Sequence, residues 1–293
     1  MSETHQKFAV FWGCTIPFRL PWIEVAARKV LPELGVEIID LPFSCCPDPI
    51  ASKALDHQTW LSLAARNLCL AEEQNLHILT LCSGCFETLK MAQKILEDKE
   101  KKSEVNRILQ SIGREYRGTI QVNHFQQWLY QEIGPESLEK RVIHPLTLRA
   151  ATHVGCHFTR PAEVLHTDDP VYPEQLDELC QVLGIETVDY PDKNLCCGVG
   201  VGLVDRDVSK NLLRRKIKGA HRAQAEAMVA HCPSCIQTFD LGQAMLSREG
   251  SESSKMLPVF YYLELLGLAL GINREEFAFE EHRVPVTPVL IER

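Results

Sequence analysis

Short apolar runs alternate along this chain with longer segments of helical periodicity, and each run closes on cysteine. Residues 8–12, Phe-Ala-Val-Phe-Trp, lead into Gly13-Cys14. Residues 36–41 lead into Pro42-Phe-Ser-Cys-Cys46, and residues 76–81 lead into Cys82. Runs this short and rich in Val, Ile and Leu read as buried strands. Between them, segments 22–34 and 59–74 are long enough for crossover helices. Strands joined in that way imply a parallel sheet.

The order then recurs. Residues 150–154 precede Gly155-Cys156, residues 185–190 precede the loop carrying Cys196-Cys197, and residues 227–231 precede Cys232. Leu34-Gly-Val-Glu-Ile-Ile-Asp40 parallels Leu183-Gly-Ile-Glu-Thr-Val-Asp189, and a fourth element at 120–128 resembles 257–264. The expected fold is therefore α/β, with two pseudo-symmetric repeats, each a small parallel sheet with crossover helices. The boundary falls in 136–148, which gives a first domain of 1–145 and a second of 146–293. C-terminal ends of adjacent parallel strands share one sheet edge, where open α/β sheets place ligands. Cysteines far apart in sequence then become loop neighbours. Gly13 and Gly155 serve either as plain turns or to let backbone approach a bulky inorganic core.

Composition narrows the class. The chain has 293 residues, of which 45% are apolar and 24% charged. Its formal charge of -8 argues against nucleic acid as the main partner. Lys99-Glu-Lys-Lys102 is the one basic tract and reads as a solvated helix end. Residues 1–7 are polar and the apolar run after them is too short for a secretory signal. The late apolar run 259–270 contains Glu264 and does not suit a bilayer span. The expected location is a reducing cytoplasm, where structural disulfides are uncommon.

Ten of the twelve cysteines form one arrangement written twice. Cys14, Cys45-Cys46 and Cys82-Ser-Gly-Cys85 are matched by Cys156, Cys196-Cys197 and Cys232-Pro-Ser-Cys235. The pair precedes the CxxC by 36 residues in one half and 35 in the other. Cys69 and Cys180 remain, one per half, in helical patterns that suit buried thiols rather than ligands. Zinc takes four ligands, and a regular cubane takes four thiolates. Five per repeat therefore leaves a spare, a redox thiol, or a second thiolate on one iron. Soft, thiolate-only sites favour iron–sulfur over zinc. Thiol exchange at the vicinal pairs and CxxC motifs leaves Cys14 and Cys156 without a role.

His153, His157 and His231 lie beside the candidate ligands at strand ends. Imidazole titrates near neutrality, so these three are candidates for proton supply, or for hydrogen bonding to cluster sulfur and backbone. Lys193, Arg160 and Arg19 are candidates to attract anionic groups. There is no GxGxxG, P-loop or flavin fingerprint, and no C-x₂-C-x₂-C-x₃-C-P ferredoxin run.

Several stretches carry a family resemblance: Phe11-Trp-Gly-Cys-Thr-Ile-Pro17, Leu63-Ala-Ala-Arg-Asn67, Cys82-Ser-Gly-Cys-Phe-Glu-Thr-Leu89, Leu195-Cys-Cys-Gly-Val-Gly200 and Cys232-Pro-Ser-Cys-Ile-Gln-Thr-Phe-Asp240. Over nearly its whole length the chain resembles the B subunits of heterodisulfide reductases, built from repeated cysteine-rich CCG domains. The resemblance implies one noncubane [4Fe-4S] cluster per domain, each held by five cysteines. The first set would be Cys14, Cys45, Cys46, Cys82 and Cys85; the second would be Cys156, Cys196, Cys197, Cys232 and Cys235. Pro47 follows the first pair where the family name has glycine, as it does in similar relatives.

The implied activity is reductive cleavage of a mixed disulfide, that of coenzyme M and coenzyme B in methanogens. The implied partners are the ferredoxin-like iron–sulfur protein and the flavin-bearing protein of the same complex, with hydrogenase or dehydrogenase components beyond them. The sequence is also compatible with a homologue from sulfur oxidation acting on another thiol or persulfide carrier, a pure electron-relay protein, and a zinc scaffold.

Overall fold

The structure, a computed structural model, describes residues 6–250 and 256–291. Residues 1–5 of the polar N-terminal stretch lie outside the described residues. Two four-stranded parallel sheets form the frame. The first contains β1 (Gln6–Phe11), β2 (Val36–Ile39), β3 (His77–Thr80) and β4 (Val122–His124), in the order β2-β1-β3-β4. The second contains β5 (Arg149–His153), β6 (Glu186–Val188), β7 (Ala227–Ala230) and β8 (Val259–Tyr261), in the order β6-β5-β7-β8. The fourth repeated element expected near 120–128 and 257–264 is thus a strand in both units.

Each central strand is buried on both faces, as a parallel sheet covered by helices requires. Phe8, Ala9, Val10 and Phe11 of β1 are fully buried, and so is every residue of β7. The crossover helix Pro21–Glu33 starts with proline in its first turn and turns Trp22, Ile23, Ala26, Ala27, Val30 and Leu31 inward. The crossover helix His57–Glu72 is capped by Asp56, whose carboxylate accepts from the Thr59 amide at 3.0 Å. Register aligns the strand ends: Phe11 pairs with Thr80 and Thr80 with His124, while His153 pairs with Ala230 and Ala230 with Tyr261. All the cysteine loops leave from that edge. β2 and β6 stop at Ile39 and Val188, sooner than the apolar runs suggest, because the chain turns away there into the loops of the cysteine pairs.

The two units meet through exchanged contacts. The His124 ring, at the end of β4, lies 4.9 Å from that of His231, just past β7. The equivalent residues make the equivalent contact: the Tyr261 hydroxyl, at the end of β8, donates to the Leu81 carbonyl, just past β3, at 2.7 Å. Phe125 and its counterpart Tyr262 stack at 6.5 Å. Helix Ser83–Ile95 packs on Cys156–Thr159, and helix Pro233–Arg248 packs on Thr15–Arg19. Contacts that map onto themselves when the units are exchanged are those of a pseudo-twofold.

Candidate metal centres

Each sulfur group is placed by a strand end. Cys14 follows β1 and precedes the short helix Thr15–Arg19; Cys156 follows β5 and begins Cys156–Thr159. Cys82 and Cys232 are the N-caps of Ser83–Ile95 and Pro233–Arg248, with Cys85 and Cys235 one turn inside. Cys45-Cys46 and Cys196-Cys197 sit on the loops after β2 and β6.

All twelve cysteines are free thiols. Side-chain contacts link Cys14 to Cys45, Cys45 to Cys46, Cys46 to Cys85, and Cys85 to Cys82. The second unit repeats the series from Cys156 through Cys196, Cys197 and Cys235 to Cys232. The sets are not separate, because Cys82 and Cys232 contact each other at the pseudo-axis. Each series runs outward from a buried CxxC: Cys14 and Cys45 are exposed, and Cys156 and Cys196 half-buried. Cys69 and Cys180 are fully buried elsewhere, and burial pushes the Cys69 thiol up to about 12.

Thiols packed this closely cannot all ionise, since each anion is stabilised by a neighbour that keeps its proton. In the first set, bonds from Cys45 and Cys85 lower Cys46 to about 6, while Cys14 and Cys85 are pushed up. In the second, Cys196 and Cys232 are lowered, and Cys156, Cys197 and Cys235 raised. A cationic metal core removes that conflict by accepting every sulfur as thiolate.

Glycine fixes how closely the chain can come. Gly13 has φ +68, and a Cβ there would stand 2.9 Å from Cys85 Sγ, so turn and close approach coincide. A Cβ at Gly155 would stand 2.7 Å from Ser83 Oγ of the other unit.

The loops are held from the following helix. In the first unit, fully buried Asn67 accepts from the Ser44 amide at 3.0 Å and donates to the Cys45 carbonyl at 3.1 Å. In the second, Lys216 donates to the carbonyls of Asp192 and Lys193 at 2.7 and 2.9 Å. Sequence reasoning assigned no role to either. The signal for Lys216 was a lysine in the apolar register of Leu213, Ile217 and Ala220.

The three candidate histidines divide. His153 and His231 are buried, and burial drives His153 well below its ordinary range and His231 to about 4, so both are neutral at pH 7. His231 Nε2 accepts from the Gly155 amide at 2.9 Å, leaving its Nδ1 buried without a partner among the described residues. Among the described residues neither nitrogen of His153 has a partner, and one lies within 4.8 Å of Cys197 and Cys235 Sγ. His157 is half-buried, 3.9 Å from Glu87 across the unit boundary. Burial raises the Glu87 carboxyl above its usual range. Of the three anion candidates, Lys193 is committed to Asp177 and Arg160 reaches the Asn194 carbonyl at 3.4 Å, while Arg19 is exposed.

A cavity of about 280 Å³ opens onto the second set. Cys156, Cys196, Cys197, Cys232 and Cys235 floor it, and Asp48, Pro49, Ile50, Ser83 and Gly84 of the first unit close it. His157 lines it; His153 and His231 do not.

Two α/β units carrying matched thiol series define a duplicated cysteine-rich domain protein. Residues 8–90 and 150–240 each match the CCG cysteine-rich domain. The chain is 39% identical over 283 residues to the B subunit of the Ferredoxin/F(420)H(2)-dependent CoB-CoM heterodisulfide reductase of Methanosarcina acetivorans, covering 95% of this chain and 94% of that one. It is 34% identical to a protein of Archaeoglobus profundus described as like the heterodisulfide reductase B subunit, covering 93% of each. It is 29% identical to the 8-methylmenaquinol:fumarate reductase membrane anchor subunit of Wolinella succinogenes, over 96% and 98%. A hypothetical protein from Helicobacter pylori shares the fold at TM-score 0.80 with 15% identity; this chain spans 96% of itself and 52% of that one. The chain belongs to the heterodisulfide reductase B-subunit family of CCG proteins. Among the described residues, no helix is long and apolar enough to cross a membrane.

Proposed function

We propose that this chain is the catalytic iron–sulfur subunit of a heterodisulfide reductase-type complex. Its two domains, 1–145 and 146–293, would each hold a noncubane [4Fe-4S] cluster on its own five cysteines, Cys14 to Cys85 in the first and Cys156 to Cys235 in the second. The observation that carries this assignment is the pair of equivalent thiol series meeting at Cys82 and Cys232. The donor set is soft and thiolate-only, which suits iron–sulfur chemistry. Buried polar atoms on His153 and His231, without partners among the described residues, stand beside it as groups that hydrogen-bond ligand sulfur do.

The reaction is RS–SR′ + 2 e⁻ + 2 H⁺ → RSH + R′SH. Clusters supply electrons one at a time, so two centres match its stoichiometry. The protein's own part is to admit and shield the disulfide. Ile50, Val199 and Leu203 give the cavity an apolar wall, which limits water at the thiols. His157, which lines the cavity 3.9 Å from Glu87, would pass protons into it, and His153 and His231 would orient sulfur. The substrate is coenzyme M–coenzyme B heterodisulfide or a related sulfur compound. Electrons arrive from the ferredoxin-like iron–sulfur protein and the flavin-bearing protein of the complex, fed by hydrogenase or dehydrogenase components. The complex works in the cytoplasm.

The contact between Cys82 and Cys232 also favours a second role, relay of electrons between centres for a partner enzyme. Protein purified without oxygen is expected to contain about eight irons as two four-iron clusters, with inorganic sulfide and little zinc. Stoichiometric zinc without sulfide would sink the cluster assignment. An EPR titration with candidate disulfides separates catalyst from relay: a new paramagnetic signal with one disulfide supports catalysis, and indifference to all of them supports the relay.

A further inference from the structure

A groove of about 950 Å³ lies beside the edge strand β6, between helix Gln175–Gln181 and the segment 192–195 that leads into Cys196. Five carboxylates, on Glu174, Asp177, Glu178, Asp189 and Asp192, line it against one cation, Lys193. Three of the five are engaged. Asp177 is held by Lys193 and by the Thr152 hydroxyl at 2.6 Å, Glu178 by the Tyr130 hydroxyl at 2.6 Å, and Asp192 by Arg215 at 2.8 Å. The carboxylates of Glu174 and Asp189 have no hydrogen bond or ion pair among the described residues, and both residues are exposed. Val171 and Tyr172, 56% and 74% exposed, give the same groove an apolar and aromatic border.

The first unit shows what such a corner accepts. Gly13-Cys14 matches Gly155-Cys156 and Leu34-Gly35 matches Leu183-Gly184, so Trp12 corresponds to Val154, Asp40 to Asp189 and Arg28 to Asp177. The helices agree with this pairing: inward-facing Ala27, Val30 and Leu31 fall on Leu176, Leu179 and Cys180. In the first unit the Asp40 carboxylate accepts from Trp12 Nε1 at 2.7 Å and from the Arg28 guanidinium at 3.0 Å. The guanidinium also lies over the indole, 4.5 Å from its centroid. In the second unit valine stands for the indole and aspartate for the arginine. The equivalent carboxylate, Asp189, therefore faces an open groove with neither partner.

We propose that this groove docks an arginine-bearing segment of a partner protein, whose guanidinium pairs with Asp189 as Arg28 pairs with Asp40. Arginine suits the place better than lysine because its planar fork matches a carboxylate and its face stacks on an aromatic ring, here that of Tyr172. The surrounding carboxylates steer a basic segment in and turn an acidic one away. A segment seated here lies against residues 192–195, so the partner touches the loop that carries the second cysteine pair. This docking does not depend on what the cysteines hold.

The test uses the full chain, purified without oxygen, and two blocked peptides: acetyl-Gly-Trp-Arg-Gly-amide and its citrulline counterpart, which keeps the shape and loses the charge. Titration calorimetry should show saturable binding of the arginine peptide, and binding of the citrulline peptide weaker by about tenfold or more. Asp189→Asn should weaken the arginine peptide by a similar factor, with metal content and thermal midpoint unchanged. Absence of saturable binding to wild type, equal binding of the two peptides, or wild-type affinity in Asp189→Asn each overturns the proposal. Where Asp189→Asn alters metal content or thermal midpoint, Tyr172→Ala on the exposed rim decides in its place, and unweakened binding overturns the proposal. Sedimentation of the chain alone checks the occupant: self-association of wild type that Asp189→Asn abolishes would give the groove to a second copy and overturn the assignment to a partner.

Discussion

Cys82 and Cys232, equivalent residues of the two units, contact each other where the units meet. Each is also bonded to the second cysteine of its own CxxC, so a change at this point reaches both thiol sets.

That arrangement separates inner from outer cysteines. Cys14→Ala removes a thiol at the exposed end of the first series. It should leave about four irons per chain and an unaltered EPR signal from the second centre. Cys82→Ala should alter that signal too. Iron analysis and EPR of both variants check this, and identical second-centre spectra would count against any communication at the axis.

Asn67 both accepts from and donates to the first cysteine loop while fully buried. Asn67→Ala strands the Ser44 amide and the Cys45 carbonyl, at a cost of about 1–3 kcal/mol. Iron should be lost from the first centre and kept at the second. Chemical denaturation with metal analysis at each step reads both effects.

Gly267, on helix Tyr262–Ala269, lets that helix lie against Pro21–Glu33 of the other unit. A Cβ there would fall 2.4 Å from Phe277 Cζ and 2.8 Å from Val30 Cγ2. Gly267→Ala should lower stability by about 1–3 kcal/mol through overpacking, seen as a lower thermal midpoint with unchanged iron content.

His282 and Glu264 form a buried pair at 2.9 Å, away from the thiols. Burial opposes charge on His282, but the Glu264 carboxylate outweighs it and raises the imidazole; burial likewise raises Glu264. Both folded values lie above the unfolded ones, so the native state binds more protons. The His282 contribution is complete below about pH 6.5 and is lost as pH rises through its raised value. That of Glu264 is complete below about pH 4.3 and is lost in the same direction. The thermal midpoint of wild type should fall as pH climbs past neutrality, and the fall should flatten in His282→Gln/Glu264→Gln.

The strands, their duplicated order and the loops carrying each cysteine were legible because hydrophobic runs and cysteine spacing are local properties. The meeting of Cys82 with Cys232 was not, since periodicity within each half carries no information on how the halves face one another. The histidines show the same limit. His153, His157 and His231 look alike beside their cysteines, yet only His157 reaches the cavity, because the other two are roofed by residues distant in sequence, such as Phe239 over His153 and His124 over His231. Lys216 was readable in outline as a charge in an apolar stripe; what it grips was not.

An interface in which His124 meets His231 while Tyr261 meets Leu81 is self-complementary. A single ancestral half with such a face could close on its own copy as an isologous dimer, with both halves necessarily identical. Joining the copies in one polypeptide lifts that constraint. Asn67 and Lys216 are then the mark of divergence after fusion: one gene can give its twin pockets unlike character, which a homodimer cannot do.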